Sequence, residues 1–203
     1  MEMKYQISNI KPEIRYLNDM REVVYDKKWL KTASNSELYY MYRGIKRKDG
    51  LRYDITVIPA KMLGNEFVKT KGHEHIGGYG ELYIVLQGKA IYLMQKREGK
   101  KIKDVFAIKA KKGDVVIIPP GYGHITINPS TKKDLKMANW MANRVKSNYR
   151  PIQEMGGACY FYTKRGWVKN KNYQEVPKLR FENPRKTMPK NLDFLKCQAG
   201  MAE

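Results

Sequence analysis

The chain holds three histidines, and their placement bears on chemistry. His73 and His75 stand two residues apart. On an extended strand, residues i and i+2 project from the same face. Glu81 opens the next apolar run, and His124 follows Pro119-Pro120-Gly121-Tyr122-Gly123, a stiff turn leading into another strand. Three imidazoles and one carboxylate suit a borderline divalent metal such as Fe, Mn, Ni, Co or Zn. Four protein ligands would leave one or two positions open to water or substrate, as a catalytic site needs. Any one of these histidines is as well read as an ordinary strand residue. The same-face pair, the third histidine behind a Pro/Gly turn and the nearby carboxylate together favour the metal.

Such a cluster needs a rigid frame, and the sequence pattern supplies strands. Short β-branched and aromatic runs are divided by Gly and Pro at Glu37–Ile45, Arg52–Pro59, Glu66–His75, Glu81–Leu86, Lys89–Gln95, Val105–Ala110, Asp114–Ile118, His124–Asn128, Leu135–Ala142 and Ala158–Thr163. This spacing predicts an all-β sandwich or barrel. Residues 1–17 read as irregular or extended. One short helix is expected near the N-terminus, capped by Asp19 with Glu22 three residues on, carrying Met20, Val23, Val24 and Leu30 as its stripe, and ending near Lys31–Ser34. Beyond Trp167 the chain turns Lys/Asn/Pro-rich. We read a single domain over residues 1–167 and a basic extended arm or tail over 168–203.

The 203 residues carry a formal charge of +20, with 42% hydrophobic residues and 15 Tyr. That is too apolar and aromatic for intrinsic disorder. No apolar run approaches the ~20 residues needed to cross a bilayer. Met1–Ser8 has no signal-peptide character, and Cys159 and Cys197 form no CxxC pair, so a reducing, cytoplasmic setting is expected. Residues 131–203 hold 16 Lys/Arg against 6 Asp/Glu. Nucleic acid is a conceivable partner for such a surface, but no nucleic-acid motif accompanies the charge. A solvated surface biased toward anionic substrates is the plainer reading.

The histidines also carry a resemblance. Gly72-His73-Glu74-His75, then Glu81 with Gly88 seven residues on, resembles the first motif of the cupin superfamily. Gly113–Asn128, with Pro119-Pro120-Gly121 and His124, resembles the second throughout. The first motif departs in its displaced opening Gly and in the five residues between His75 and Glu81. Thr56-Val57-Ile58-Pro59, the run Phe67–His73, Ala138-Asn139-Trp140 and Tyr149-Arg150-Pro151-Ile152 narrow the resemblance to the cupin-type phosphoglucose isomerases of archaea, over roughly residues 15 to 175.

That resemblance implies a cupin double-stranded β-helix, a jelly-roll barrel. It implies one metal, iron(II) first, on His73, His75, Glu81 and His124, with Glu81 and His124 at the chemistry. It implies substrate phosphate near Thr56, Thr70 and the Gly72 backbone, and sugar contacts from Tyr83 and Tyr149. The activity implied is aldose–ketose isomerisation of a sugar phosphate by a homodimer. Packing and β-propensity are competing reasons for each Thr and Tyr. Relatives often carry His where Ser147 stands here, and some carry Tyr where Met141 stands. Two other readings share the metal ligands or the fold: another metal-dependent cupin enzyme, a dioxygenase or decarboxylase, and a non-catalytic binding cupin with a nucleic-acid-binding tail.

Overall fold

Short apolar runs broken by Gly turns fold here into strands that bury side chains on both faces. A computed structural model describes residues 10–197. The expectations for residues 1–9 and for 198–203 lie outside these. Strands β1 (Glu13–Tyr16), β2 (Glu37–Lys48) and β3 (Leu51–Ile58) come first, followed by the short β4 (Met62–Leu63), β5 (Glu66–Phe67) and β6 (Glu74–His75). The barrel continues through β7 (Glu81–Gln87), β8 (Lys89–Glu98), β9 (Lys101–Lys111), β10 (Val115–Ile118), β11 (Gly123–Ile127) and β12 (Leu135–Ala142). Next come β13 (Ser147–Asn148), β14 (Tyr160–Thr163), β15 (Gly166–Lys169) and β16 (Arg180–Glu182). Two short helices, α1 (Lys27–Leu30) and α2 (Arg150–Glu154), interrupt the strands.

One sheet runs β1-β2-β3-β12-β7-β10 and the facing sheet β11-β8-β9-β16. Strands β7 to β12 thus divide between two antiparallel sheets, in jelly-roll fashion. Tyr83, Val85, Val116, Ile118 and Met137 of the first sheet share one core with Ala90, Tyr92, Met94, Phe106 and Ile108 of the second. The other face of the second sheet is covered as well: Ile91, Leu93, Val105, Ala107, Ile125 and Ile127 pack against Met155, Ala158, Cys159, Tyr160 and Tyr173. Burial on both faces explains why these runs read as continuous hydrophobics rather than a clean alternation.

Two local expectations give way. The helix expected from Asp19 to Ser34 is replaced by 3₁₀ turns at Leu17–Asp19 and Arg21–Val23, followed by α1. The Asp19 carboxylate does accept a hydrogen bond from the Tyr16 N–H at 2.9 Å. The β-branched pair Val23-Val24 then enters the core with Leu17 and Met20, and burying all four overrides helical spacing. Asp26, not Asp19, caps α1, accepting from the Trp29 N–H at 2.9 Å. The run Glu66–His75 is not one strand but β5 and β6 with an irregular stretch between them. Gly72, at φ +85°, turns the chain out of strand conformation. Lys69 is fully buried in that stretch, donating to the Val23 carbonyl at 2.8 Å and to Glu66.

The segment after Trp167 lies along the barrel. Strand β16 pairs with β9 in parallel, Arg180 opposite Phe106 and Glu182 opposite Ile108. Single bridges join Lys101 to Glu175 and Val115 to Arg185. Leu195 is completely buried and packs with Leu192 and Phe194 near Leu82 and Val115, on the outer side of the first sheet. Among the described residues no helix is long and apolar enough to cross a membrane.

Candidate metal centre

The His/Glu quartet is assembled from three segments of the chain. Glu81 is the first residue of β7, His124 lies in β11 and His75 ends β6. His73 sits just before β6 and is tied to β11 by a reciprocal backbone pair: His73 N–H donates to His124 O at 3.2 Å and His124 N–H to His73 O at 3.0 Å. Gly72 permits that approach, because a Cβ added there would stand 2.4 Å from Ile125 Cγ2. One ligand atom from each of His73, His75, Glu81 and His124 falls within 4.8 Å of every other.

The donor atoms converge on one point. His73 Nε2 and His75 Nε2 are 3.1 Å apart. Glu81 Oε2 is 3.1 Å from His124 Nε2 and 3.4 Å from His75 Nε2. It is nonetheless buried without a partner in hydrogen-bond geometry. Nitrogen and carboxylate donors turned toward one buried point are what a cation site requires. The residues present therefore fit a bound divalent ion. The next layer of contacts supports the same arrangement. His75 Nδ1 lies 2.8 Å from the Tyr79 carbonyl, so that nitrogen carries the proton and Nε2 keeps its lone pair. Asn139 Nδ2 donates to Glu81 Oε1 at 2.6 Å, fixing one carboxylate oxygen and presenting the other.

Electrostatics follow from this burial. Burial alone would raise the Glu81 carboxyl, but the flanking His124 and His75 outweigh it and hold the group well below the usual range. Burial, reinforced by its histidine neighbours, pushes His73 well down; burial also pushes His124 down against the pull of Glu81. His75 goes the other way, since the Glu81 carboxylate overcomes its burial. Burial and the nearby Glu81 charge raise Tyr83 well above the ordinary phenol value, which keeps its hydroxyl protonated 3.4 Å from His124 Nε2.

A narrow cleft leads to the quartet. Its walls bring together Thr56, Thr70, Gly72, Tyr83 and Tyr149 with His73 and Glu81. All five residues expected around a substrate therefore share one space with the cluster. Thr70 Oγ1 accepts the Thr126 N–H at 3.0 Å, which leaves its own O–H to donate. Tyr39 adds a hydroxyl that accepts the Lys71 N–H at 3.2 Å. Ser147 and Met141 line the same cavity, so no imidazole stands at position 147. Arg43, Asp54, Lys71 and Asn139 also line it, and sequence reasoning singled out none of them as site residues. Asn139 faces Asp54 across β12–β3 and Tyr83 across β12–β7. Those cross-strand neighbours depend on register, which local spacing does not reveal. The signal in hand for Asn139 was its place in the run Ala138-Asn139-Trp140.

The family model for glucose-6-phosphate isomerase (GPI) matches residues 14–178, most of the chain. The chain belongs to the glucose-6-phosphate isomerase family. Two relatives of that name agree. The protein of Thermococcus litoralis is 32% identical over 157 residues, covering 74% of this chain and 80% of its own. That of Pyrococcus furiosus is 31% identical over 169 residues, covering 80% and 87%. Among solved structures, oxalate decarboxylase of Lactobacillus farciminis aligns at a TM-score of 0.46 with 15% identity, over 70% of this chain and 33% of that one. An oxalate oxidase bound to the substrate analogue glycolate aligns at 0.40 with 13% identity, over 51% and 47%. Likenesses this distant add nothing to the family membership. The fold is the cupin jelly roll expected of this branch, mostly strands in antiparallel sheets.

Proposed function

We propose that this protein is a metal-dependent aldose–ketose isomerase that interconverts glucose 6-phosphate and fructose 6-phosphate, a step of glycolysis and gluconeogenesis. The observation that carries the reading is the convergence of His73, His75, Glu81 and His124 beside a cavity walled by Thr56, Thr70, Gly72 and Tyr149. Those four residues would hold one divalent ion, iron(II) first among the candidates. When bound, the ion stabilises negative charge on the substrate oxygens at C1 and C2. We extend the reading to a cytoplasmic homodimer.

The Glu81 carboxylate removes the proton from C2 of the open-chain aldose and returns it to C1, while the O2 proton passes to O1. The ketose forms through an enediol. The carboxylate is ionised at neutral pH because His124 and His75 flank it. Asn139 holds Oε1 and so fixes the plane of the carboxylate. His124 Nε2 stands 3.1 Å from Oε2, on the same side of the site. The Thr56 and Thr70 hydroxyls and the Gly72 N–H donate to phosphate oxygens, and Tyr83 and Tyr149 contact the sugar.

The test is an isomerase assay without oxygen, after chelation with EDTA and with Fe, Mn, Ni and Zn added back singly. Loss of glucose 6-phosphate conversion on chelation and its return with a metal are expected. Absence of conversion with every metal, or full activity in a preparation shown to be metal-free, would overturn the reading. Carrying out the assay without oxygen also separates the isomerase from a dioxygenase.

A further inference from the structure

Tyr39, Met41 and Arg43 alternate along β2, and all three line the cavity. Immediately beyond Arg43 the β2–β3 register slips between Tyr42 and Lys46, and Gly44 adopts φ +65°. Bulges of this kind re-aim a side chain next to a site. Here the bulge is held by Asp54, whose Oδ1 accepts the Gly44 N–H at 2.6 Å and whose Oδ2 accepts Arg52 Nε at 2.9 Å. Asp54 is thus already matched by Arg52, and Arg43 Nη1 stands 3.7 Å from it, beyond hydrogen-bond reach.

The Arg43 guanidinium has five N–H donors. Nε donates to Glu13 at 3.0 Å and Nη2 to the Met41 sulfur at 3.3 Å. Nη1 makes no hydrogen bond among the described residues, Asp54 Oδ2 lying 3.7 Å away, and the side chain keeps 31% of its surface exposed. Two carboxylates flank it, the buried Asp54, which Arg52 already pairs, and Glu13, which is 60% exposed and screens its charge weakly. Met41 faces Thr56 across the β2–β3 pair. Arg43, two residues along, is therefore a diagonal neighbour of Thr56 on the cavity side.

We propose that Arg43 is a substrate-binding residue whose Nη atoms donate charge-assisted hydrogen bonds to the phosphate held at Thr56 and Thr70. The planar fork matches phosphate geometry better than any point charge. This rests on the isomerase reading, and the experiment separates the two. The variants are Arg43→Met, Arg43→Lys and, as a control that removes the ion pair but leaves the guanidinium, Glu13→Gln. Each is assayed for KM and kcat with glucose 6-phosphate, for binding of inorganic phosphate by titration calorimetry, and for metal content. Arg43→Met is expected to raise KM and the phosphate Kd ten- to hundredfold, with kcat within about threefold and metal content unchanged. Arg43→Lys recovers part of the phosphate affinity, and Glu13→Gln stays within about threefold of the parent. Unchanged phosphate affinity in Arg43→Met, or an equal loss in Glu13→Gln, overturns the assignment. If the parent chain converts no glucose 6-phosphate, the isomerase reading fails; the phosphate titration still decides on Arg43.

Discussion

Replacing Gly72 with alanine tests the reasoning on the approach to the metal ligands. Two costs add. The first is conformational, since φ +85° lies where a side chain is disfavoured by about 1–2 kcal/mol. The second is steric: the new Cβ would lie 2.4 Å from Ile125 Cγ2 and 3.2 Å from Ile152 Cδ1, both on buried residues. Overpacking of that kind costs about 1–3 kcal/mol. Together Gly72→Ala should destabilise by about 2–5 kcal/mol, lowering Tm by about 4–20 °C for a chain of this size. Gly50→Ala supplies the reference, since Gly50 has φ +77° but nothing within 4 Å of its added Cβ. It should show only the conformational cost, about 1–2 kcal/mol. The assay is urea unfolding of both variants under one set of conditions, with isomerase activity read alongside. Equal destabilisation of the two would refute the steric argument. A Gly72→Ala protein of parental stability would refute both terms.

Glu81→Gln should lower kcat by at least about a hundredfold, with metal content measured in the same samples; turnover within tenfold of the parent would remove Glu81 as the base. Carried out in deuterium oxide, the parent reaction should place solvent deuterium in the product, and strict absence of label would sink the proton-transfer route. Asp26 caps α1 and also accepts from the Asn65 backbone N–H, hydrogen bonds that hold its carboxyl below the usual value against the pull of burial. A carboxyl depressed in the folded state contributes stability above its unfolded pKa, near 4, and loses it as pH falls through the folded value. Asp26→Ala should therefore cost about 0.5–2 kcal/mol at pH 7, and the gap to the parent should shrink in acid; a pH-independent gap counts against the cap. Cys159 is buried, with its thiol pushed up to about 12 by that burial, while Cys197 is exposed. A thiol reagent at pH 8 should label one site per native chain and two after unfolding; rapid double labelling of the native protein would contradict the packing around Cys159.

Legibility in the sequence tracked locality. The His73–His75 spacing, the turn before His124 and the run Leu135–Ala142 are short-range signals, and the last matches β12 end to end. Thr56 and Thr70 came from motif resemblance, and both line the cavity. Arg43, Asp54 and Asn139 escaped notice because a strand's cavity neighbours are set by partners far along the chain, as the pairings Asn139–Asp54 and Met41–Thr56 show. The N-terminal segment misled for a different reason. Asp19 and Glu22 stand at capping distance, but the buried Val23-Val24 pair decides the backbone there, and burial is a tertiary fact.

The run of chain after Pro177 has a consequence for how molecules of this protein behave toward one another. Strand β9 is eleven residues long, and the rim it would offer to solvent at Phe106–Ile108 is bonded instead to β16. The bridge from Val115 to Arg185 carries the same cover across to β10, the last strand of the other sheet. An uncovered rim is a template on which a second chain can add its own strand. The family match stops at residue 178, just short of this cover. The basic C-terminal segment thus occupies hydrogen-bonding groups at the rims of both sheets, at Phe106–Ile108 and at Val115, that another strand would otherwise need.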